Sequence, residues 1–374
     1  MRHTSHLIPV SLHLLTPCTI ALILGIWWQA YYFWQFAALL WLLAATVCAI
    51  RFNSYLPQLC IVACFFFVGS VLYFRQQHRF ATFQQLTYGQ VFDVQGTVLE
   101  VEPIHKNWMR QMIKIAVTKM RQEHDAAWKN VDGVIQLYMY GYLPVHVDDV
   151  VEFFQLTFKP AKKESFSSYL IKEGIDATLF LMRADYALLE RPEHSFWRSL
   201  ARKRQQIFEQ CKKKLSASAF ALFSVIFLGN KNIDKNYVED QQIFFKMWGI
   251  SHHLARSGLH LILLLFMFQF FLRFIPVPFM AKQIFLLCVV GVYSLLSWAS
   301  ISYLRALITF LFYTLCNVFM VPIQLVHLVS LATFVVLIFN PSQLFFLDFQ
   351  LSFGLTFALA WLSHVQKHRR VIEG

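Results

Sequence analysis

The chain has 374 residues, of which 57% are hydrophobic and only 14% charged, and its formal net charge is +12. A soluble protein of this length carries about a quarter charged residues, so the composition excludes an ordinary soluble enzyme and predicts a polytopic α-helical membrane protein. Seven cysteines show neither metal-ligand spacing nor a disulfide framework. We therefore expect no metal and no cofactor.

Three apolar runs open the chain, at about 11 to 30, 33 to 50 and 56 to 74. Each is close to the length that crosses about 30 Å of hydrocarbon, and the short connections predict antiparallel neighbours. The N-terminus lacks a small-residue cleavage site before the second run, so we interpret the first run as a retained span. Residues 1–74 form the first predicted domain, a three-helix membrane segment.

Residues 75–195 have a different composition, with 14 Lys/Arg and 15 Asp/Glu, and predict a small all-β domain. Its β-like runs are VFDVQGTVLEV, MIKIAVTKM, VIQLYMY, VVEFFQLTF and DATLFLM. Five short strands suit an OB-like barrel and equally suit other small all-β domains. Trp108, Tyr138, Tyr140 and Tyr142 suggest base stacking, but the near-neutral domain favours ordinary core and rim aromatics.

Residues 196–229 form a basic amphipathic helix followed by a short apolar segment. The stretch FWRSLARKRQQIFEQCKKKL has seven Lys/Arg against one Glu, and its apolar residues can share a helical face. The basic residues face either anionic lipid head groups or a polyanion such as DNA. They are Arg198, Arg202, Lys203, Arg204, Lys212, Lys213 and Lys214.

Residues 230–374 contain five further apolar runs, at about 250 to 272, 279 to 298, 302 to 320, 324 to 340 and 347 to 364. The fold class predicted for the whole chain is thus a helical membrane protein of about eight spans with an inserted OB-like β domain. If the run 216 to 229 does not cross the membrane, the placement of Lys and Arg predicts that both termini are cytoplasmic. The β domain is then expected on the outer face.

Polar residues within these last runs are the candidate functional residues. His252, Arg256 and His260 share one helical face, and Asp348 is the one acidic residue between 250 and 364. Asp348 can pair with Arg256 or Arg305, which leaves one arginine for an anionic substrate. Alternatives are snorkelling arginines and helix–helix hydrogen bonds. The predicted translocation path is His252, His253, Arg256, Ser257, Gly258, His260, Arg305, Asp348, Gln350 and Ser352.

The run WGISHHLARSGLHL resembles the G-x-x-H-L-L-A-x-S-G-L-H pattern of ComEC-type DNA-uptake proteins, although Arg256 stands where that family usually has an aliphatic residue. SYLRALITF resembles its S-x-x-R-A segment. NPSQLFFLDFQLSFGLTFAL resembles its N-P-x-x-L-x-D-x-x-F-Q-L-S-F segment, with a different aspartate spacing. FSSYLIKEGIDATL resembles the end of the family's OB-like domain. The resemblance extends over almost the whole chain in the same order.

The resemblance implies translocation of single-stranded DNA across the cytoplasmic membrane during natural transformation. It also implies a cytoplasmic motor and an outer-face DNA receptor as partners, besides membrane lipids, and the chain's small size suggests a homo-oligomer. The chain has no metallo-β-lactamase-like domain, so we expect a short form that is not an enzyme. The alternatives are a permease for a small anion or lipid-linked intermediate, and a non-transporting remnant or partner subunit.

Overall fold

The structure, a computed structural model, describes residues 9–31, 56–106, 109–122, 127–159, 164–224, 258–296 and 301–373. The chain divides into two compact units. The helical unit comprises Met1–His78, Leu261–Val290 and Ser300–Gly374, and the β unit comprises Arg79–His260 and Gly291–Ala299. The domain boundaries predicted from the sequence at 74, 195 and 229 remain predictions.

The β unit is built on one mixed, six-stranded sheet. Its elements in chain order are β1 (Val91–Lys106), β2 (Met109–Gln122), β3 (Lys129–Met139), β4 (Val150–Thr157), α3 (Glu164–Glu173), β5 (Ala177–Leu181) and β6 (Tyr186–Glu190). The strand order in the sheet is β5-β3-β2-β1-β4-β6. Strands β3 and β5 are parallel, and the other neighbours are antiparallel.

Alternation along the strands places one face of this sheet in the core of the β unit. On β3, for example, Ile135, Leu137 and Met139 are buried, whereas Tyr138 between them is half-buried. The end of helix α2 (Leu56–Thr87) completes the core through Phe83. A Cβ atom at Gly133 would lie 2.5 Å from the Phe83 ring, so only glycine allows this close packing.

The five strands predicted from the sequence are all present as β1 to β5. The structure adds β6 and α3, which the sequence did not predict. The OB-type barrel is not confirmed, because β5 and β6 lie at the two edges of the sheet.

The helical unit contains the first helices and the C-terminal ones. Its described helices include α1 (Pro9–Tyr31), α8 (Ile301–Val318), α9 (Leu325–Phe339), a 3-10 helix (Pro341–Phe345) and α10 (Leu347–Glu373). Three of these helices meet in one apolar core, with Leu22 and Ile26 from α1, Val329, Ala332, Val336 and Leu337 from α9, and Phe349 and Phe353 from α10.

Helices α1 and α2 approach each other closely at two glycines. A Cβ atom at Gly25 would lie 2.0 Å from the carbonyl oxygen of Phe66, and one at Gly69 would lie 2.4 Å from that of Leu22. Small residues therefore set the separation of these two helices. The remaining described helices are α4 (Phe196–Lys214), α5 (Ala217–Phe223), α6 (Gly258–Arg273) and α7 (Phe279–Leu296).

The predicted polytopic membrane fold is contradicted. Within the described ranges, none of the helices has both the length and the apolar character needed to cross a membrane. Seven of the eight predicted runs do contain helices, but α6 has 16 residues and α9 has 15, whereas a span needs about 20. The run 33 to 50 lies outside the described residues. The predicted orientation relative to a membrane stays a prediction.

Candidate functional site

The basic helix predicted from the sequence is helix α4, and its first turn is fixed by a capping serine. The Ser195 hydroxyl oxygen accepts a hydrogen bond from the backbone N–H of Arg198 at 3.0 Å. The same hydroxyl donates to the carboxylate of Asp148. An N-cap of this kind satisfies one of the N–H groups that the first turn of a helix leaves without an intrahelical partner.

Unlike the other basic residues of α4, Arg198 is buried. Its side chain donates to the carboxylate of Asp149, which is 0% exposed, and to the carbonyl oxygen of Val147 at 3.2 Å. Asp149 also accepts from Arg191 at 2.9 Å and from the backbone N–H of His146 at 2.8 Å. Arg198 therefore anchors the helix to the loop before β4.

The other basic residues of α4 form a cationic surface. Arg202, Lys203 and the three consecutive lysines at 212–214 are exposed. Arg204 is half-buried and donates to the carbonyl oxygen of Leu295 at 2.8 Å. The terminal lysines complement the negative end of the helix dipole, so part of this charge has a structural use. The exposed cations remain accessible to phosphate groups.

In the helical unit, Arg305 of α8 is held against α10. Its Nη1 donates to the Thr356 hydroxyl, and its guanidinium carbon lies 5.8 Å from the centroid of the Phe353 ring. Its Nε atom is buried and has no hydrogen-bond partner among the described residues. Burial lowers the pKa of Arg305, with no acidic group contributing to the shift. Arg305 does not form an ion pair with Asp348, whereas pairing of Asp348 with Arg256 stays a prediction, because Arg256 lies outside the described residues.

Thr356 links Arg305 to the segment that contains Ser352. The Thr356 hydroxyl donates to the carbonyl oxygen of Ser352 at 2.7 Å, one turn earlier on α10. The Ser352 hydroxyl is buried and has no hydrogen-bond partner within the described ranges. By contrast, Gln350 is exposed and donates to the carbonyl oxygen of Leu344 at 3.0 Å. The structure thus connects Arg305 to Ser352 through Thr356, while Asp348 and Gln350 are exposed on the same helix.

The helices that carry these residues fall within a segment that matches a known family. Residues 231–372 match the family model described as "Competence protein". This segment is thus similar to the competence protein family. The competence segment includes α6 to α10, whereas α4 and the sheet of the β unit precede it.

The chain is also similar to part of a longer protein. The chain is 33% identical over 134 residues to "ComE operon protein 3" of Bacillus subtilis (strain 168). The aligned part is 35% of this chain and 17% of that relative, so most of the relative has no counterpart in the alignment. No solved structure matches the chain.

The predicted path residues of the competence segment begin before helix α6. His252, His253, Arg256 and Ser257 lie outside the described residues. Gly258 begins α6, and His260 is half-buried in its first turn. The predicted polar face of His252, Arg256 and His260 therefore stays a prediction.

Sequence reasoning missed a polar contact between α2 and the end of α9. The Gln76 side-chain amide donates to the Asn340 Oδ1 atom at 3.0 Å, and the Gln76 Oε1 atom accepts from the Ser342 hydroxyl at 2.8 Å. The motif around Asn340 and Pro341 was visible in the sequence, but Gln76 lay just beyond a predicted span and carried no signal of its own. Thr356 was equally missed, although it lies four residues after Ser352.

Proposed function

We propose that this protein takes part in DNA uptake during natural transformation and that it passes single-stranded DNA towards the cytoplasm. The observation that carries the proposal is the competence segment over residues 231–372. The place of action that we propose is the cytoplasmic membrane, with membrane lipids as neighbours. A cytoplasmic motor, an outer-face DNA receptor and other copies of this chain are the proposed partners.

The cationic surface of α4 is the proposed first contact with the DNA backbone. Exposed Lys and Arg side chains attract phosphates whatever the base sequence, and each phosphate that they neutralise releases counterions. Arg202, Lys203 and the lysines at 212–214 supply these charges. Binding is therefore expected to be independent of DNA sequence and to weaken steeply as salt rises.

Arg305 and Ser352 are the proposed contacts within the competence segment. A guanidinium without a carboxylate partner is electrostatically suited to an anion, and both its Nε atom and the Ser352 hydroxyl have unused hydrogen-bonding capacity. His252, His253, Arg256, Ser257, Gly258, His260, Asp348 and Gln350 complete the proposed route. We propose transport without covalent chemistry, so the protein is not expected to act as an enzyme.

A second candidate function is a non-transporting partner subunit. The observation in its favour is that Arg305 already has a structural use, because it joins α8 to α10 through Thr356 and Phe353. Replacing Arg305 by Gln separates the two functions. A transport role predicts a protein that assembles normally and delivers no DNA, whereas a purely structural role predicts altered assembly or stability.

The proposed electrostatic contact is tested by measuring the affinity of the purified protein for single-stranded DNA at several salt concentrations. The slope of log affinity against log salt is negative, and each lost phosphate contact makes it shallower by about 0.7 for a single strand. Replacing Lys212, Lys213 and Lys214 by Gln is therefore expected to reduce the magnitude of the slope by about 2. The matched control replaces Lys119, Lys129 and Lys159, three exposed lysines of the β unit, and is expected to leave the slope unchanged. An affinity that is insensitive to salt, or an equal loss in the control, contradicts the proposal.

A further inference from the structure

Five aromatic side chains lie on or beside the outer surface of the β3–β5 edge of the sheet. We call this surface the aromatic face, and its residues are Tyr138, Tyr140, Phe166, Tyr169 and Phe180. The core-facing neighbours on the two strands, such as Leu137 and Leu179, are buried, so alternation directs Tyr138 and Phe180 away from the core. Apolar rings on the outside of a sheet are not explained by packing of the core.

The centre of the aromatic face is a parallel stack. Tyr138 and Phe180 are register partners on β3 and β5, with ring centroids 5.0 Å apart and ring planes inclined by 9°. The Gln136 side chain donates to the Tyr138 hydroxyl at 2.7 Å and thereby holds that ring in place. Phe180 is 55% exposed, and β5 is an edge strand. A further flat ring can therefore continue the stack on the outer side of Phe180.

Helix α3 supplies a second aromatic pair next to this stack. The rings of Phe166 and Tyr169 lie 6.3 Å apart at 19°, and both side chains are exposed. The Lys114 amine on β2 donates to the carbonyl oxygen of Glu173 at 3.4 Å, which places the end of α3 beside the outer surface of the sheet. Burial raises the pKa of Tyr169, and Glu173 and Tyr138 raise it further, so the two tyrosines are within electrostatic reach.

Basic side chains border the aromatic face. Lys114 and exposed Arg110 alternate with buried residues of β2 and so lie on its outer side, and Lys172 lies at the end of α3. The carboxylates of Glu102 and Glu173 are also close enough to raise the pKa values of Tyr138 and Tyr169. Charge is therefore nearly balanced at this surface. Binding here should depend mainly on stacking, with the cations placing a phosphate backbone.

We propose that the aromatic face binds the unpaired bases of single-stranded DNA, with the first base stacked on Phe180. This inference rests on the proposed function and adds a second DNA contact to the cationic surface of α4. Every base has a flat face, so stacking of this kind tolerates any sequence. Unpaired bases are required, because bases inside a duplex have no free face for a side chain.

The test compares the affinity of the full chain for oligo(dT) with that of a Phe180→Ala variant, measured by fluorescence anisotropy. Loss of one base-stacking side chain is expected to weaken binding by about fivefold to a hundredfold. Phe180→Trp keeps a flat ring and should retain binding, with indole fluorescence quenched by the stacked base. The control is Tyr88→Ala, which removes an aromatic side chain that is 62% exposed just before β1, at the strand end remote from Glu102 and the aromatic face.

A second arm replaces oligo(dT) by an abasic oligomer of the same length and charge. Weaker binding of the abasic strand to the wild-type protein supports stacking. Equal binding of the two strands, or wild-type affinity in Phe180→Ala, overturns the inference. Delivery of DNA into cells tests the proposed function separately. If deletion of the gene stops delivery but Phe180→Ala binds normally, only the aromatic face is contradicted. If delivery survives deletion while the Phe180 effect is present, the proposed function fails and the binding site stands.

Discussion

Asp149 holds the start of α4 in place. The carboxylate is fully buried and compensates the buried guanidinium of Arg198. Removing one member of a buried ion pair leaves the other charge without compensation, which costs about 3 to 5 kcal/mol. We therefore expect Asp149→Ala to lower the free energy of unfolding of the β unit by about that amount, measured by denaturant titration of the full protein.

The matched control for Asp149 is Arg191→Ala. Arg191 pairs with the same carboxylate at 2.9 Å, but 42% of its side chain is exposed to solvent. Exposed ion pairs contribute about 0 to 1 kcal/mol, so this variant is expected to be nearly as stable as the wild type. Equal destabilisation by Arg191→Ala and Asp149→Ala would show that burial of Arg198 is not the source of the effect.

Asp176 predicts a pH dependence of stability. Burial raises the pKa of its carboxyl group, although the backbone N–H of Val134 and the nearby Arg79 act in the opposite direction. A carboxyl whose folded-state pKa is raised favours the fold when protonated, and this contribution is lost as pH rises through the folded-state pKa. Asp176→Asn removes the ionisation but keeps an oxygen that can accept from Val134.

We expect Asp176→Asn to gain stability relative to the wild type as pH rises from acidic to neutral values. Denaturant unfolding at a series of pH values measures this difference. Asp185→Asn, at an exposed position, is the control and should show no such trend. A difference between Asp176→Asn and wild type that is constant with pH contradicts the assignment.

Among the elements, α4 depends on its N-cap. The Ser195 hydroxyl accepts from the N–H of Arg198, and loss of such a cap costs about 0.5 to 2 kcal/mol. Ser195→Ala is expected to lower the free energy of unfolding by about 1 kcal/mol. The control is Ser199→Ala, which removes an exposed hydroxyl that donates to the carbonyl oxygen of Ser195. Alanine at this position also favours helix formation. The cap is unimportant if the two variants have the same stability.

Helix α4 could be predicted from the sequence, because basic and apolar residues from 196 to 215 recur with the helical period and so occupy opposite faces. It did not predict the role of Arg198. Periodicity gives the face on which a residue lies, but the partner Asp149 is 49 positions away in the chain. The same limit explains the aromatic face, since Phe166, Tyr169 and Phe180 meet Tyr138 only after α3 and β5 are placed beside β3. Strand β6 was missed because YALLE is short and lacks clear alternation.

For the whole molecule, composition predicted an apolar helical protein with an inserted β domain. The further prediction of about eight membrane-spanning helices was wrong for the described residues. Mean hydropathy does not tell how long a helix will be. Helices α6 and α9 have 16 and 15 residues, and the second half of α2 carries charged residues such as Arg75 and Arg79. The sequence motifs were more informative, because they indicated the family that residues 231–372 match. They did not reveal the contact of Arg305 with Thr356, which depends on how α8 packs against α10.

Delivery of DNA into cells tests most directly the proposal that this chain takes part in DNA uptake. The gene is deleted in its host, marked linear DNA is supplied, and cytoplasmic delivery is compared with and without complementation by the wild-type chain or Arg305→Gln. We predict that deletion stops delivery, that the wild-type chain restores it, and that Arg305→Gln is produced at normal levels without restoring it. Delivery that is unchanged by deletion, in cells shown to be competent, would contradict the claim.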